Sequence, residues 1–215
     1  PVLIAYEVGL LWLGPAAMRN GADVWLRRLL ETIGFSQYFL LPALTVFILL
    51  AWHHIRRDRW QVRGNVLYGM SLESLAFGGG LLLAAQVHQS VLAVETEPAL
   101  LRRSVVDAVS YLGAGIYEEL VFRLIVLMGL VAAARRCGST PRTSLLAAIL
   151  LSSLAFSLAH YPAAEWTLIP GDAQLWSTFV FRFTAGVFFC LLFLLRGFGI
   201  AVGAHALYDI LVGCG

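Results

Sequence analysis

Two adjacent acidic residues and an arginine lie within an otherwise apolar stretch of the sequence, Tyr117-Glu-Glu-Leu-Val-Phe-Arg123. Glu119 and Arg123 are four residues apart, the spacing at which an acidic residue pairs with a following basic residue on one helical face. Glu118 is rotated by about 100° from Glu119, so it has no partner on its own face. A buried carboxylate without a partner can take up a proton near neutral pH, which makes Glu118 a candidate general base. A structural cluster that bridges helices is the alternative, and these residues alone leave both open.

Two histidines in later apolar segments are also candidates for chemistry. His160 ends the run Phe156-Ser-Leu-Ala-His160, and His205 precedes Asp209 by four residues. On a helix His205 and Asp209 share a face, so the carboxylate could fix the tautomer of the imidazole. Each feature can also be structural, as a histidine at a helix end or as a His–Asp pair within the core.

The positions of these side chains along their helices give an estimate of their depth. Glu118 and His160 each lie 17 or 18 residues from the nearer end of the basic loop that separates their segments. At 1.5 Å per residue, both are about 25–27 Å from that loop. His205 follows the basic end of its own segment by nine residues, or about 13 Å. It can meet the other two only if the last helix starts deeper, which the glycines at 197 and 199 would permit.

The composition is that of a membrane protein. Hydrophobic residues make up 60% of the 215 residues and charged residues 13%, and the mean hydropathy is +0.80. A soluble domain has about 25% charged residues. The net charge of +2 gives no sign of a nucleic-acid partner, and the three cysteines form no CxxC pair. The sequence therefore predicts an all-α, polytopic integral membrane protein with a polar cavity among its helices.

Apolar stretches separated by polar loops predict about seven transmembrane helices, since about 20 residues cross the hydrocarbon core. An eighth results if 104–117 forms a separate half-helix. The loops 53–65 and 135–143 are basic and alternate with less positive loops, so the positive-inside rule places the basic loops in the cytoplasm. The stretch 23–31 is amphipathic, and we expect it to lie flat in the interface. The predicted spans are 1–18, 36–52, 66–90, 104–134, 144–160, 175–195 and 199–213.

Four short motifs resemble those of the CAAX-protease and bacteriocin-processing (CPBP, or Abi) family of intramembrane endopeptidases. They occur in the family's order on successive spans within residues 104–213, whereas residues 1–100 match only as generic membrane helices. Glu118-Glu119-Leu-Val-Phe-Arg123 resembles the EExxxR motif, Phe156-Ser-Leu-Ala-His160 the FxxxH motif, Phe183-Thr-Ala-Gly186 the FxxG element and His205-Ala-Leu-Tyr-Asp209 the HxxxN/D motif.

The resemblance implies a glutamic-type protease that needs no nucleophilic side chain, no metal and no other cofactor. Glu118 would activate a water molecule for attack on the scissile carbonyl, and His160 would help to hold that water. Glu119 and Arg123 would support Glu118. Such a site would hydrolyse a peptide bond in a membrane-associated or lipid-modified protein.

The resemblance also implies that His205 polarises the carbonyl and stabilises the oxyanion, with assistance from Asp209. Many family members have Asn where this chain has Asp209. An amide can donate a hydrogen bond to an oxyanion, whereas an ionised carboxylate cannot. We therefore expect Asp209 to act from behind, by orienting His205.

The implied organisation is a single transmembrane domain over 1–215, with accessory helices in 1–100 and the catalytic core helices in 104–213. The expected partners are membrane lipids and a protein or lipidated peptide substrate, with no nucleic acid. The expected location is the inner membrane of a bacterium or an archaeon.

Three further residues could contact substrate, namely Arg182, Phe156 and Phe183. Arg182 lies between phenylalanines in the sixth span, where it could bind a carboxylate or another polar part of the substrate. Alternatively, it could pair with Glu73 or Asp107 on a neighbouring helix. The glycines at 113, 115 and 186 are expected to permit close helix packing.

Three other functions fit parts of the pattern. The acidic and histidine side chains named above could together ligate zinc, although the sequence has no HExxH motif and the histidines come from different spans. A transporter or proton relay also uses carboxylates and histidines in membrane helices. It predicts repeated halves, which the sequence lacks, although three glycines at 78–80 would interrupt one span. A non-catalytic scaffold or immunity protein on the same helices is the third alternative.

Overall fold

A computed structural model describes residues 1–57, 60–92, 105–166 and 168–214. Every regular element in these ranges is helical, as the sequence predicts. Most of the predicted loop 91–103 lies outside the described residues, as do Asp58 and Arg59 of the basic loop before it.

The longest uninterrupted stretch of helix among the described residues begins as α5 and ends as α6. Between them the chain continues as two π-helical segments, Ala114–Glu118 and Leu120–Leu127, so the helix is not broken. Segments of π-helix are rare and occur frequently at functional sites. The α-helices are α1 (Val2–Leu13), α2 (Gly21–Thr32), α3 (Leu40–Ile55), α4 (Gly64–Leu92), α5 (Val105–Gly113), α6 (Met128–Arg136), α7 (Pro141–Leu158), α8 (Ala173–Arg196) and α9 (Phe198–Cys214).

The helices agree with most of the predicted spans. Within α4, α7 and α8, the segments Gly64–Ser90, Pro141–Leu158 and Ala173–Arg196 are each long and apolar enough to cross a membrane, while α1, α3 and α9 are apolar but shorter. The predicted span 1–18 is too long, because α1 has 12 residues, or about 18 Å. It ends where Gly14 adopts a φ of 55°.

Two predicted interruptions of helices are wrong. The alternative of a separate half-helix over 104–117 is wrong for its described part, because from residue 105 onward the chain runs without a break into α6. The glycines at 78–80 do not interrupt their span, because α4 continues through all three of them.

Helix α7 shows the polarity expected of a helix in lipid. Its outward stripe consists of Leu146, Leu150 and Leu154, all of which are exposed. Its inward face carries serines. The Ser152 hydroxyl donates to the carbonyl of residue 122 at 2.6 Å, and the Ser157 hydroxyl donates to that of residue 179 at 2.8 Å. Small hydroxyl side chains are common at contacts between membrane helices, where they bond across the interface. The apolar outward stripe and the serines of the inward face are those of a helix in an integral membrane protein.

Glycines allow the helices that carry the candidate residues to approach closely, as predicted. A Cβ atom at Gly115 would lie 2.7 Å from the Cβ of Ala206 in α9, and one at Gly186 would lie 3.0 Å from the Cα of Ser153 in α7. Any larger residue would push these helices apart. The first π-helical segment therefore packs directly on α9, and α8 packs directly on α7.

The connection between α8 and α9 accounts for the depth of His205. Gly197 has a φ of 95°, which favours glycine, and α9 starts at the next residue. Arg196, the last residue of α8, donates from Nε to Oε2 of Glu73 at 2.8 Å. Glu73 lies nine residues into α4, about 14 Å along its axis. The turn thus lies beside the body of α4, which shifts α9 toward the level of the other candidate residues.

Candidate active site

Glu118, His160 and His205 come together at a polar cavity of about 400 Å³. Oε2 of Glu118 is 3.7 Å from Nε2 of His160 and 3.9 Å from Nε2 of His205. This oxygen is buried and has no hydrogen-bond partner among the described residues. The three side chains come from the first π-helical segment, the turn after α7 and α9, and their meeting point is the centre of the site.

The other oxygen of Glu118 contacts a residue that none of the sequence motifs contains. Nδ2 of Asn20 donates to Oε1 of Glu118 at 3.2 Å. Asn20 precedes α2 and is 98 positions away in the sequence. Asparagine directly before a helix is a recognisable capping signal, but no sequence signal pointed to its contact with Glu118.

Glu119 holds His205 by its other nitrogen. Nδ1 of His205 lies 2.7 Å from Oε1 of Glu119. Since a carboxylate accepts hydrogen bonds, Nδ1 is the donor. The ring of Phe189 stacks on the imidazole with centroids 4.5 Å apart. The adjacent residues Glu118 and Glu119 therefore face opposite nitrogens of one imidazole.

Asp209 occupies a different place from the one we expected. Its Oδ2 is 3.5 Å from Nε2 of His205, on the cavity side of the ring. The position behind the imidazole, from which a carboxylate fixes the tautomer, is taken by Glu119. The sequence did not indicate this, because Glu119 is 86 positions from His205.

Arg123 forms the predicted ion pair with Glu119, and both side chains are fully buried. Nε of Arg123 lies 3.2 Å from Oε2 of Glu119. The guanidinium lies over the ring of Phe156, 4.3 Å from its centroid. Because the other oxygen of Glu119 binds His205, the pair stands directly behind His205 rather than behind Glu118.

His160 is held by the backbone of its own motif. Nδ1 of His160 lies 2.7 Å from the carbonyl oxygen of Phe156. A carbonyl only accepts, so Nδ1 carries the proton and neutral His160 presents the lone pair of Nε2 to Glu118. The ring of Phe156 is 3% exposed and packs edge-on against both His160 and His205. Phe156 thus lines the cavity and separates the two imidazoles.

Arg182 also lines the cavity. Its guanidinium lies 5.0 Å from the centroid of the Tyr161 ring. Among the described residues Arg182 does not form the predicted ion pair with Glu73. Glu73 instead binds Arg196, which lies 14 residues further along α8, about 21 Å away.

Phe183 does not reach the polar cavity. Seven residues of α8 line this cavity, and they recur at intervals of three and four on one helical face. They are Gln174, Ser177, Thr178, Phe181, Arg182, Ala185 and Phe189. Phe183 lies off this face.

A second and larger cavity, of about 830 Å³, adjoins the first. It is mostly apolar and is bordered by Trp25 of α2 and by Trp166 after α7. Glu118 and His160 line both cavities, as does Asn20. A bound chain could therefore pass from one cavity to the other beside these side chains.

A family model described as type II CAAX prenyl endopeptidase, Rce1-like, matches residues 104–211. The match covers half of the chain and includes every motif residue from Glu118 to Asp209. Neither a curated protein nor a solved structure matches the chain. The motif resemblance is thus confirmed, and the chain belongs to the Rce1-like type II CAAX prenyl endopeptidase family, whose members are membrane proteases.

Proposed function

We propose that this protein is an intramembrane endopeptidase in which Glu118 activates water without a metal. The observation that carries the proposal is the position of Oε2 of Glu118, 3.7 Å and 3.9 Å from the Nε2 atoms of His160 and His205. These separations are too long for direct hydrogen bonds but suit a single bridging water. A water held there would touch a base and lie beside a potential donor to the carbonyl.

Glu118 and His160 act on the water. Oε2 of Glu118 takes one proton as the water oxygen forms its bond to the carbonyl carbon. Neutral His160 accepts the second hydrogen of the water at Nε2, which orients the oxygen lone pair. When the carbon–nitrogen bond breaks, Glu118 returns its proton to the leaving amine, so the products are a carboxylic acid and an amine.

His205 acts on the carbonyl oxygen. Because Nδ1 donates to Glu119, His205 can donate from Nε2 only as the imidazolium. The carboxylates of Glu119 and Asp209, at 2.7 Å and 3.5 Å from the ring nitrogens, stabilise that positive charge. An imidazolium fixed beside the developing oxyanion lowers the barrier without reorganisation.

The isosteric variant Glu118→Gln tests the assignment of the base. A general base contributes about 10²–10⁴-fold to the rate, so we expect kcat to fall by that factor while the protein remains folded. His160→Ala should likewise abolish cleavage. Glu73→Gln is the matched control, because Glu73 lies outside the cavity, and it should keep normal turnover. Turnover within about threefold of wild type in Glu118→Gln would contradict the mechanism.

Zinc hydrolysis is the second candidate, and chelation separates the two. Within the described ranges no group of three or more His, Cys, Asp and Glu side chains is arranged to hold a metal ion. We expect cleavage to continue after treatment with a zinc chelator and removal of free metal. Loss of cleavage that zinc restores would replace the glutamate mechanism with a metal-dependent one.

The two cavities suggest how the substrate binds. We infer that an apolar or lipid-modified segment occupies the larger cavity beside Trp25 and Trp166, and that a C-terminal carboxylate lies near Arg182 in the polar cavity. The position of Arg182 in the wall of the polar cavity and the shared position of Glu118 between the cavities support this orientation. It agrees with the prenylated C-terminal substrates that the family name describes.

Peptides that differ only at their C-terminus test this orientation. Arg182→Gln should raise KM for a peptide with a free carboxylate and leave KM unchanged for the same peptide as its amide. Arg182→Lys, which retains the charge, should fall between wild type and Arg182→Gln. Unchanged kinetics together with lower stability would assign Arg182 a structural role.

A further inference from the structure

We propose that Asn20 is a positioning residue that fixes the Glu118 carboxylate from outside the family-matched segment. The inference rests on the proposed role of Glu118 as the base. Asn20 lies before α2, and the family match begins at residue 104. The N-terminal helices would then contribute a specific polar contact to the site.

Both ends of the Asn20 amide are engaged. Its Oδ1 accepts from the backbone N–H of Ala22 at 2.7 Å, which caps the N-terminus of α2. The capping bond requires the oxygen at this position, so Nδ2 must be the atom that faces Glu118. Nδ2 donates a hydrogen bond to Oε1 of Glu118. The other carboxylate oxygen, Oε2, is left free to face the two histidines.

The start of α2 is held firmly enough for this contact to be precise in space. Asp23, one turn after Asn20, is fully buried and accepts hydrogen bonds from three side chains, which lie before and after it in the sequence. The Tyr6 hydroxyl donates at 2.7 Å, and Arg19 and Arg27 each donate at 2.6 Å. A carboxylate that is bonded to three donors cannot shift without breaking buried hydrogen bonds. Asn20 is therefore fixed relative to α1.

Only an amide satisfies both contacts at once. Serine and aspartate at position 20 would still cap α2, but neither supplies a donor to Glu118 in the way that Nδ2 does. Serine is too short to reach it, and ionised aspartate would place a second negative charge beside the base. Capping and support of Glu118 can thus be separated by substitution.

The experiment compares Asn20→Ser, Asn20→Asp and Asn20→Ala in the full chain, purified in detergent, with thermal unfolding and cleavage kinetics measured on each. Asn20→Ser should unfold like wild type and lose about ten- to hundredfold in kcat, because a hydrogen bond to a charged group is removed. Its KM should stay within about twofold, since the lost bond is to Glu118. Asn20→Asp should lose more kcat than Asn20→Ser, and Asn20→Ala should lose stability as well.

A capping role alone predicts wild-type kcat in Asn20→Ser, and that result would overturn the inference. A rise in KM with unchanged kcat would also overturn it, because Asn20 would then be a substrate contact. Glu118→Gln distinguishes the two levels of failure. If Glu118→Gln is inactive while Asn20→Ser is fully active, only the positioning role fails. If Glu118→Gln is active, both the proposed function and the positioning role of Asn20 are wrong.

Discussion

Replacement of Arg123 by methionine should strongly destabilise the protein. The side chains of Arg123 and Glu119 are both fully buried, and their charged atoms are 3.2 Å apart. Removal of one partner leaves the other as an uncompensated buried charge, which costs about 3–5 kcal/mol. Methionine fills much of the volume of the arginine stem, so the lost charge rather than a cavity dominates the change.

The expected magnitude is large enough to measure in detergent. For a domain of this size about 1 kcal/mol corresponds to roughly 2–4 °C in Tm, so Arg123→Met should lower Tm by about 6–20 °C. Arg123→Lys is the matched control. It keeps the charge near Glu119 but loses the planar stacking over Phe156, a contact worth about 0.5–2 kcal/mol. Thermal unfolding followed by tryptophan fluorescence should therefore rank wild type above Arg123→Lys and Arg123→Met lowest.

A double-mutant cycle with Glu119→Gln tests the reason for this loss. Glutamine keeps a carbonyl that can accept from His205, and it removes the negative charge that Arg123 neutralises. The double variant should be more stable than the sum of the two single losses predicts, because no buried charge is left unpaired. Additive losses, or an Arg123→Met variant within about 1 kcal/mol of wild type, would refute the buried ion pair as a source of stability.

Three further predictions follow from local geometry. Gly115→Ala should lower stability and turnover, because the new Cβ would lie 2.7 Å from the Cβ of Ala206 in α9. Gly129→Ala should instead stabilise α6 by up to about 1 kcal/mol, because nothing lies within 4 Å of a Cβ atom there. Measurements of Tm compare the two variants. Asp209→Asn should lower kcat by no more than about tenfold, because Asp209 stabilises the His205 imidazolium through its charge at 3.5 Å rather than through a short hydrogen bond; a larger loss in cleavage assays would contradict this placement. Arg196→Gln should change the free energy of unfolding by less than about 1 kcal/mol, because its ion pair is exposed.

The residues of the site could be found from the sequence because ionisable side chains are scarce in this chain. In a chain with 13% charged residues, each acidic or histidine side chain inside a span requires a partner or a function. The spacing of Glu119 and Arg123 predicted their ion pair, since both residues lie on one helix. The convergence of Glu118, His160 and His205 was implied by the family resemblance, whereas the depth estimate left His205 at a different level; the structure brings the three together.

The partners between helices could not be predicted, because they depend on how each helix is rotated and shifted against its neighbours. Glu119 was expected to support Glu118, and its bond to His205 is visible only once α9 is in place. Glu73 was one of the two partners predicted for Arg182. The α8–α9 turn instead places Arg196 beside Glu73, and these two residues bind each other. The short α1 was missed for another reason: apolar composition continues through Gly14 and Pro15, where the α-helix ends and a single 3-10 turn follows.

The N-terminal helices were expected to be generic, but their polar contacts argue for a closer connection to the site. Glu118 belongs to a π-helical segment, a conformation that persists where surrounding contacts favour it. Tyr117 in the same segment donates to Glu7 of α1 at 2.9 Å, and Asn20 donates to Glu118. Two successive residues of that segment are thus bonded to α1 and to the start of α2. Helices that served only to fill the bilayer would not need side-chain hydrogen bonds at these two positions, so we regard residues 1–32 as the support that holds the acidic motif in register with His160 and His205.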